Sequence, residues 1–263
     1  MNMDTTSCKS SIVLDICGLN LFFGGLQALT DINLTINTGE IQAIIGPNGA
    51  GKTSILNCIN GFYHPANGEI LFRGKNIIGL SPHKIAKQGI ARTFQNIELF
   101  SGLSTLDNLM AARHIHMKRG ALAGSLFFGP TRREEIFHRE QVEEIIDLLE
   151  MEAIRKKIVA SLPYGQRKRV DLARALCMDP DLLLLDEPLA GMNVEEKEDM
   201  ARFILDIFEL RDIPIVLVEH DMDVVMDISH RVAMFDFGCK VTEGLPESVK
   251  NDPRVLKAYM GKE

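Results

Sequence analysis

Gly46, Gly51, Lys52 and Thr53 occupy the fixed positions of the string Gly46-Pro47-Asn48-Gly49-Ala50-Gly51-Lys52-Thr53, which Ser54 follows. That spacing suits one chemistry, the cradling of phosphate. Glycines let the backbone bend so that its N–H groups point inward, and a following helix N-terminus adds positive potential. The lysine neutralises charge on β- and γ-phosphates, and a threonine hydroxyl can reach Mg²⁺. At average residue usage, four such fixed positions co-occur by chance in about one per cent of chains this long. Gly46 to Ser54 is therefore the candidate nucleotide-phosphate site, with Thr53 a candidate Mg²⁺ ligand.

A second acidic pair lies further along. Leu182 to Leu185 is a four-residue apolar run that ends in Asp186 and Glu187. In phosphate-loop enzymes an aspartate at such a strand end holds Mg²⁺, directly or through water. A carboxylate just beyond it can orient or deprotonate an attacking water.

These residues need elements to place them. Ile41, Ala43, Ile44 and Ile45 read as a buried strand before the loop, and Ile55, Leu56 and Ile59 begin a helix after it. Ile32, Leu34 and Ile36 alternate with polar residues, which predicts a half-buried antiparallel strand. Ile12 to Ile16 and Glu69 to Phe72 are further short strands, the latter introduced by an Asn67-Gly68 turn. From about Ser81 to Arg174 the pattern turns helical. Val142, Ile145, Ile146 and Leu149 share one helix face, while Gly120 to Pro130 reads as a loop or irregular insertion.

The α/β rhythm then returns. Leu182 to Leu185 and Ile215 to Val218 read as strands buried on both faces of a parallel sheet. Between them Asn193 caps a helix whose stripe is Met200, Phe203, Ile204, Ile207 and Phe208. The implied organisation is one domain. A nucleotide-binding core spans about residues 1–95 and 178–263, and a mostly helical lobe spans about 96–177.

Composition bounds the function classes. The chain has 263 residues and a net charge of -7 with no long basic run, which argues against a nucleic-acid surface. No stretch of 18 or more apolar residues appears, and the most lipid-like piece, Ala121 to Gly129, is about half the length a span needs. The opening residues carry no hydrophobic signal region. Five scattered cysteines without a Cys-x-x-Cys pair point to reduced thiols rather than metal or disulfide roles.

With these pieces in order, the chain resembles the nucleotide-binding subunit of an ATP-binding-cassette (ABC) transporter over almost its whole length. Gln95, in Arg92-Thr93-Phe94-Gln95-Asn96, matches the glutamine that contacts Mg²⁺ and water. Leu162-Pro163-Tyr164-Gly165-Gln166 stands in the place of the family signature, usually Leu-Ser-Gly-Gly-Gln. Ala190-Gly191-Met192-Asn193 matches the dimer-contact loop, His220 the histidine that senses the γ-phosphate, and Phe23 the aromatic that stacks on adenine. The Leu-Pro-Tyr-Gly-Gln form resembles the ATPases of branched-chain amino-acid importers, as do the insertion after Asn108, the Leu189 to Asn193 run and the Ala258-Tyr259-Met260-Gly261 end.

The resemblance implies an α/β fold with a RecA-like P-loop NTPase core, an antiparallel β subdomain and an inserted helical subdomain. It implies ATP and Mg²⁺ as cofactors. Glu187, His220 and Gln95 are the expected catalytic residues, and Thr53, Gln95 and Asp186 the expected metal ligands. ATP is expected to contact Phe23, Gly46 to Ser54 and Leu162 to Gln166. The expected partners are integral membrane permease subunits, a second ATPase subunit (homodimer or paralogous heterodimer) and, indirectly, a solute-binding protein, with no nucleic acid. The expected location is peripheral, on the cytoplasmic face of the plasma (inner) membrane. Phe94 to Leu106, with Ile97, Leu99, Phe100 and Leu103, is the candidate permease-docking segment.

Two departures from the signature stand out. Pro163 offers neither hydroxyl nor N–H, so γ-phosphate contacts should rest on Gly165, Gln166, the helix dipole and the Tyr164 amide. Arg167, Lys168 and Arg169 are expected to add positive charge near the phosphates. A competing reading is a soluble ABC-type ATPase clamping ribosomes or DNA. One cassette, no long coiled coil and an acidic balance argue against it, and no Asn-Lys-x-Asp motif supports a GTPase. Lys52→Ala should nearly abolish ATP binding and hydrolysis. Full ATPase activity in that variant would contradict the assignment of the phosphate site.

Overall fold

Strand pairing divides the chain between two sheets. The computed structural model describes residues 12–116 and 130–260. The smaller sheet is antiparallel, in the order β2-β1-β4-β5, from β1 (Ile12–Phe23), β2 (Leu26–Asn37), β4 (Asn67–Phe72) and β5 (Lys75–Asn76). The larger runs β10-β9-β3-β8-β7-β6, from β3 (Ile41–Ile45), β6 (Ile90–Arg92), β7 (Leu182–Asp186), β8 (Ile215–Val218), β9 (Arg231–Asp236) and β10 (Cys239–Gly244). Its strands are parallel from β6 to β9, and β10 closes it with an antiparallel hairpin.

Register follows burial. β2 buries Ile32, Leu34 and Ile36 and exposes the polar residues between them, or half-buries them. β3, β7 and β8 are buried at every position, because both sheet faces are covered. Leu183 and Leu185 face one hydrophobic cluster with the helical lobe, while Leu182 and Leu184 face another with the antiparallel sheet.

The helices divide by place. In the core, α1 (Lys52–Ile59) follows the phosphate loop, and α2 (Pro82–Lys87) precedes β6. The lobe holds α3 (Thr105–Arg113), α4 (Pro130–Leu148) and α5 (Tyr164–Leu176). Back in the core come α6 (Val194–Arg211), α7 (Met222–Ile228), α8 (Pro246–Lys250) and α9 (Pro253–Met260). Asn193 caps α6 in a full capping box: its side chain accepts from the Glu196 amide at 2.9 Å, and its own amide donates to Glu196 at 3.1 Å.

Two expectations are corrected. Within the run read as helical, Ile90–Arg92 is a strand on the edge of the large sheet, paired with β7. Three residues cannot display a period, so only the tertiary pairing reveals it. Asn67-Gly68 is not a turn before β4 but its first two residues, at a register irregularity opposite β1. Gly68, at φ 100, lets the backbone pass where a Cβ would meet the Gly18 carbonyl at 2.6 Å. The expected Gly120 to Pro130 insertion and the Ala121 to Gly129 piece lie outside the described residues, except that Pro130 begins α4.

A buried polar cluster ties the lobe together. The Arg113 guanidinium, 2 % exposed, donates to His138 Nδ1 at 3.2 Å, to the Cys177 carbonyl at 3.1 Å and to Asp179. It thereby joins α3, α4 and the end of α5. Burial, and then the neighbouring Arg113, push the His138 pKa below its ordinary value. The folded protein therefore favours neutral His138, and between its folded pKa and about 6.5 it binds fewer protons there than the unfolded chain. Stability should fall as pH drops through that window. Urea-unfolding midpoints followed from pH 7.5 to 5 should decline less steeply in His138→Gln than in the wild type. Parallel curves would contradict this account.

Candidate functional site

The parallel register brings the key strand ends to one edge. Ile44 pairs with Val218 and Val218 with Asp186, so the residues after β3, β8 and β7 emerge side by side. There the phosphate loop opens into a cleft of about 560 Å³, lined by Asn48 to Ser54, Gln95, Glu187, Leu26, Gln27, Ala28, Phe237 and Gly238. Gly46 is forced to be glycine: at φ 147, its Cβ would lie 2.0 Å from the Phe235 carbonyl. Gly51, at φ 99, makes the turn into α1.

Lys52 is buried, and its ammonium donates to the Gly46 carbonyl at 2.7 Å and the Pro47 carbonyl at 3.1 Å. The lysine thus also braces the loop it serves. Thr53 is exposed at the mouth of the cleft. Tyr259, on α9, lies beside the same loop: burial pushes its phenol pKa up, opposed by the nearby Gly46 backbone.

The acidic pair splits in environment. Asp186 is 1 % exposed; one carboxylate oxygen takes a 2.7 Å ion pair from Arg92, and the other has no hydrogen-bond partner among the described residues. Arg92 also donates to Asn57 at 2.7 Å, and burial draws its pKa down, opposed by the Asp186 hydrogen bond. Glu187 sits at φ 49, a left-handed conformation that costs energy for a non-glycine residue. Its side chain reaches the cleft and accepts from the Gln95 amide at 2.8 Å. The oxygen of Asp186 left without a donor fits a metal-bound water. No group of three or more His, Cys, Asp or Glu side chains fit to hold a metal occurs among the described residues, so Mg²⁺ would need mixed ligands including phosphate.

Not every expected residue converges. His220 follows β8, half-exposed, with Nδ1 3.7 Å from Glu219, and does not line the cleft. Phe23 does not line it either; its ring stands edge-on to Tyr63 at 5.0 Å. Leu162 to Gln166 lie outside it, with Leu162 and Pro163 leading into α5 and Tyr164 to Gln166 forming its first turn. Pro163 is the N-cap residue, leaving the first-turn amides of Tyr164, Gly165 and Gln166 without intrahelical partners. Gly165 packs on α6, where a Cβ would come 2.3 Å from Glu196.

The sequence profile of the ABC transporter family matches residues 29–190, and that of the branched-chain amino acid ATP-binding cassette transporters matches 239–263. The chain belongs to the ABC transporter family, as an ATPase cassette. It is 38% identical over 250 residues to the high-affinity branched-chain amino acid transport ATP-binding protein BraF of Pseudomonas aeruginosa, covering 95% of this chain and 98% of that one. It is 36% identical to LivG of Escherichia coli K12, the protein of the same description, covering 96% and 99%. Among solved structures, the ADP conformation of MJ1267, an ATP-binding cassette of an ABC transporter, matches with TM-score 0.83 at 28% identity, over 96% of this chain and all of that one.

The cassette directs its three basic signature-helix residues to separate places. Lys168 is buried and donates to the backbone carbonyls of Gln95 at 3.3 Å and Glu187 at 3.0 Å. Burial lowers its pKa, against the pull of Asp171 and other carboxylates. Arg169 turns toward α6, over Phe203 at 4.8 Å and 3.6 Å from Asp199. Arg167 lies over the Tyr164 ring at 5.8 Å. Lys168 and Arg169 therefore hold the cassette's own parts together instead of presenting charge at a free surface.

Sequence reasoning passed over three residues that organise the site. Buried Glu219 accepts from the Leu189 amide at 2.8 Å and the His220 amide at 3.0 Å, joining the segments after β7 and β8. Burial raises its pKa. Asp171, also raised by burial, accepts from the Phe94 amide at 3.3 Å. Arg92 belongs with them. Their only sequence signal was adjacency to a motif.

The signature residues test this packing. Pro163→Ser installs a favourable N-cap and should be tolerated, with stability raised by about 0.5–1 kcal/mol. Gly165→Asp drives a carboxylate into Glu196 and should cost about ten- to a hundredfold in ATPase rate and lower the melting temperature. Thermal melts and steady-state rates of the two variants decide. Normal turnover and stability in Gly165→Asp would refute the role of this glycine.

Proposed function

We propose that this cassette is the ATP-hydrolysing subunit of a membrane importer for branched-chain or related hydrophobic amino acids. The observation that carries the ATPase role is the single cleft shared by the phosphate loop, Gln95 and Glu187. The identity to BraF and LivG over nearly their full lengths, with the match of residues 239–263, supports the importer and its substrate class.

Within the cleft, the amides of Gly49 to Thr53 and the Lys52 ammonium receive the β- and γ-phosphates. Thr53, Gln95 and Asp186 would hold Mg²⁺, which supplies positive charge against the phosphate oxygens. Glu187, exposed to the cleft and strained toward it, orients and deprotonates the attacking water. Its hydrogen bond from Gln95 keeps the carboxylate positioned and ties it to the helical lobe. His220, which follows β8 at the same sheet edge but does not line the cleft, would have to turn toward it to sense the γ-phosphate; Glu219 holds its backbone.

The signature segment lies away from its own cleft, which supports a second cassette, identical or paralogous, facing this one head to tail. ATP then lies between one cleft and the other's α5 N-terminus. A groove of about 590 Å³ between core and lobe is lined by Phe94, Phe100, His83, Ala111 and Arg174, and suits a projecting segment of a permease subunit. Phe100 and Leu103 are exposed there or beside it, and Asn108 holds the Phe100 backbone by hydrogen bonds of 2.8 and 3.1 Å. No described helix is long and apolar enough to cross a membrane, in keeping with peripheral attachment at the cytoplasmic face. A separate solute-binding protein would deliver the amino acid.

Glu187→Gln is the test. It should keep ATP affinity, slow hydrolysis by about two to four orders of magnitude and trap an ATP-dependent dimer. Purified with ATP from detergent-solubilised membranes, the trapped variant should carry multi-span membrane proteins. Co-purification with ribosomes or DNA instead would favour the clamp reading, and normal turnover would place the base elsewhere.

A further inference from the structure

Lys168 is a buried cation that the chemistry above does not use. It is 4% exposed, and its ammonium donates to two backbone carbonyls, Glu187 at 3.0 Å and Gln95 at 3.3 Å, rather than to a carboxylate. Asp171, Glu219, Glu187 and Asp186 attract its charge. Taking an ammonium out of water is costly, and packing alone would be met by a methionine of similar length. What sets lysine apart from such a side chain here is the pair of carbonyls it holds.

One of those carbonyls belongs to a strained residue. Glu187, at φ 49, shares the left-handed region with few other non-glycine residues. Asp212 takes that conformation as the residue that ends α6, and Arg73 and Phe237 take it in two-residue hairpin loops. In those places the turn itself calls for left-handed backbone. Glu187 follows the last residue of β7, at neither a helix end nor a hairpin tip. A strained conformation persists only where its surroundings over-determine it.

The surroundings of Glu187 are few and specific. Its amide donates to the Val218 carbonyl at 2.9 Å. Its carbonyl accepts from Lys168 at 3.0 Å and, more weakly, from the Ala190 amide at 3.3 Å. The second carbonyl on Lys168 is that of Gln95, whose side chain donates to the Glu187 carboxylate at 2.8 Å. One ammonium thus fixes the backbone at both ends of the hydrogen bond that aligns the Glu187 carboxylate. Tyr164, one turn earlier on α5, acts on the same segment: a Cβ on Gly191 would meet its ring at 3.0 Å, and the Lys168 ammonium lies 5.9 Å from the ring centre.

We propose that Lys168 is a positioning residue for hydrolysis, which keeps the Glu187 carboxylate aimed into the cleft by holding the Glu187 and Gln95 carbonyls. It acts through Glu187 and touches no nucleotide, so its effect falls on the chemical step and not on ATP binding. The inference rests on the reading of Glu187 as the base.

Lys168→Met keeps the length of the side chain and removes the donor. Single-turnover hydrolysis of Mg²⁺-ATP by this variant should slow by about ten- to a hundredfold, with ATP affinity within about threefold of the wild type. The deciding readout is a double-mutant cycle. Residues that act as a unit are not additive, so in the Glu187→Gln background Lys168→Met should change the residual rate by less than about twofold. Should Lys168→Met not yield folded protein, Lys168→Gln, whose amide can still donate to one carbonyl, carries the same cycle. Wild-type hydrolysis in the folded variant would overturn the inference, as would a loss of the same size in both backgrounds or one explained by weakened ATP binding. Normal turnover in Glu187→Gln alone would instead remove the base reading beneath it.

Discussion

The site depends on the parallel pairing of β3, β8 and β7. Backbone hydrogen bonds between them align three strand ends, so the phosphate loop, the His220 segment and the Asp186-Glu187 pair emerge along one edge. In open α/β sheets ligands gather outside the carboxyl ends of the strands for this reason. Both faces of these strands pack on hydrophobic clusters, and Gln42 on β3 is their one polar side chain before the strand ends. The chemistry is therefore confined to the strand ends, where the backbone leaves the sheet.

That confinement concentrates buried charge. Arg92 and Asp186 pair at 2.7 Å with side chains 3% and 1% exposed, a contact whose desolvation can match its attraction. Its value here is positional: it links the edge strand β6 to the end of β7, beside the Gln95 segment. The pairing is asymmetric: Arg92 engages one Asp186 oxygen, and the other has no hydrogen-bond partner among the described residues. Glu219 serves similarly, holding two backbone amides on neighbouring loops from a buried position.

The helical lobe joins this edge through α5. Lys168 binds the carbonyls of Gln95 and Glu187, Asp171 the Phe94 amide, and Arg174 the Glu98 carbonyl. One helix thus carries signature residues at its N-terminus and grips the Gln95 segment along its side. Because Lys168 holds the carbonyls of both Gln95 and Glu187, one face of α5 joins the two segments that border the cleft.

Much of this was legible in the amino-acid order. The phosphate loop is a local structure, built by glycines and a helix N-terminus within nine residues. The alternation of β2, the apolar runs of β7 and β8 and the Asn193 cap are local in the same sense. Burial of β7 and β8 on both faces follows from the unbroken apolar runs Leu182 to Leu185 and Ile215 to Val218, whereas β3 is buried on both faces despite Gln42. Other features belonged to the tertiary structure alone. β6 is too short to carry a pattern, and exists because β7 offers it a partner. Lys168 and Arg169 were expected to add positive charge near the phosphates, but which groups they meet is set by packing, which directs them to carbonyls and to α6. Phe237 resembled any exposed aromatic, since neither its positive φ nor its place beside Ala50 can be read from neighbours in sequence. Local propensity reports what a segment favours alone; which polar groups are buried, and against what, is set by contacts between residues far apart in the chain.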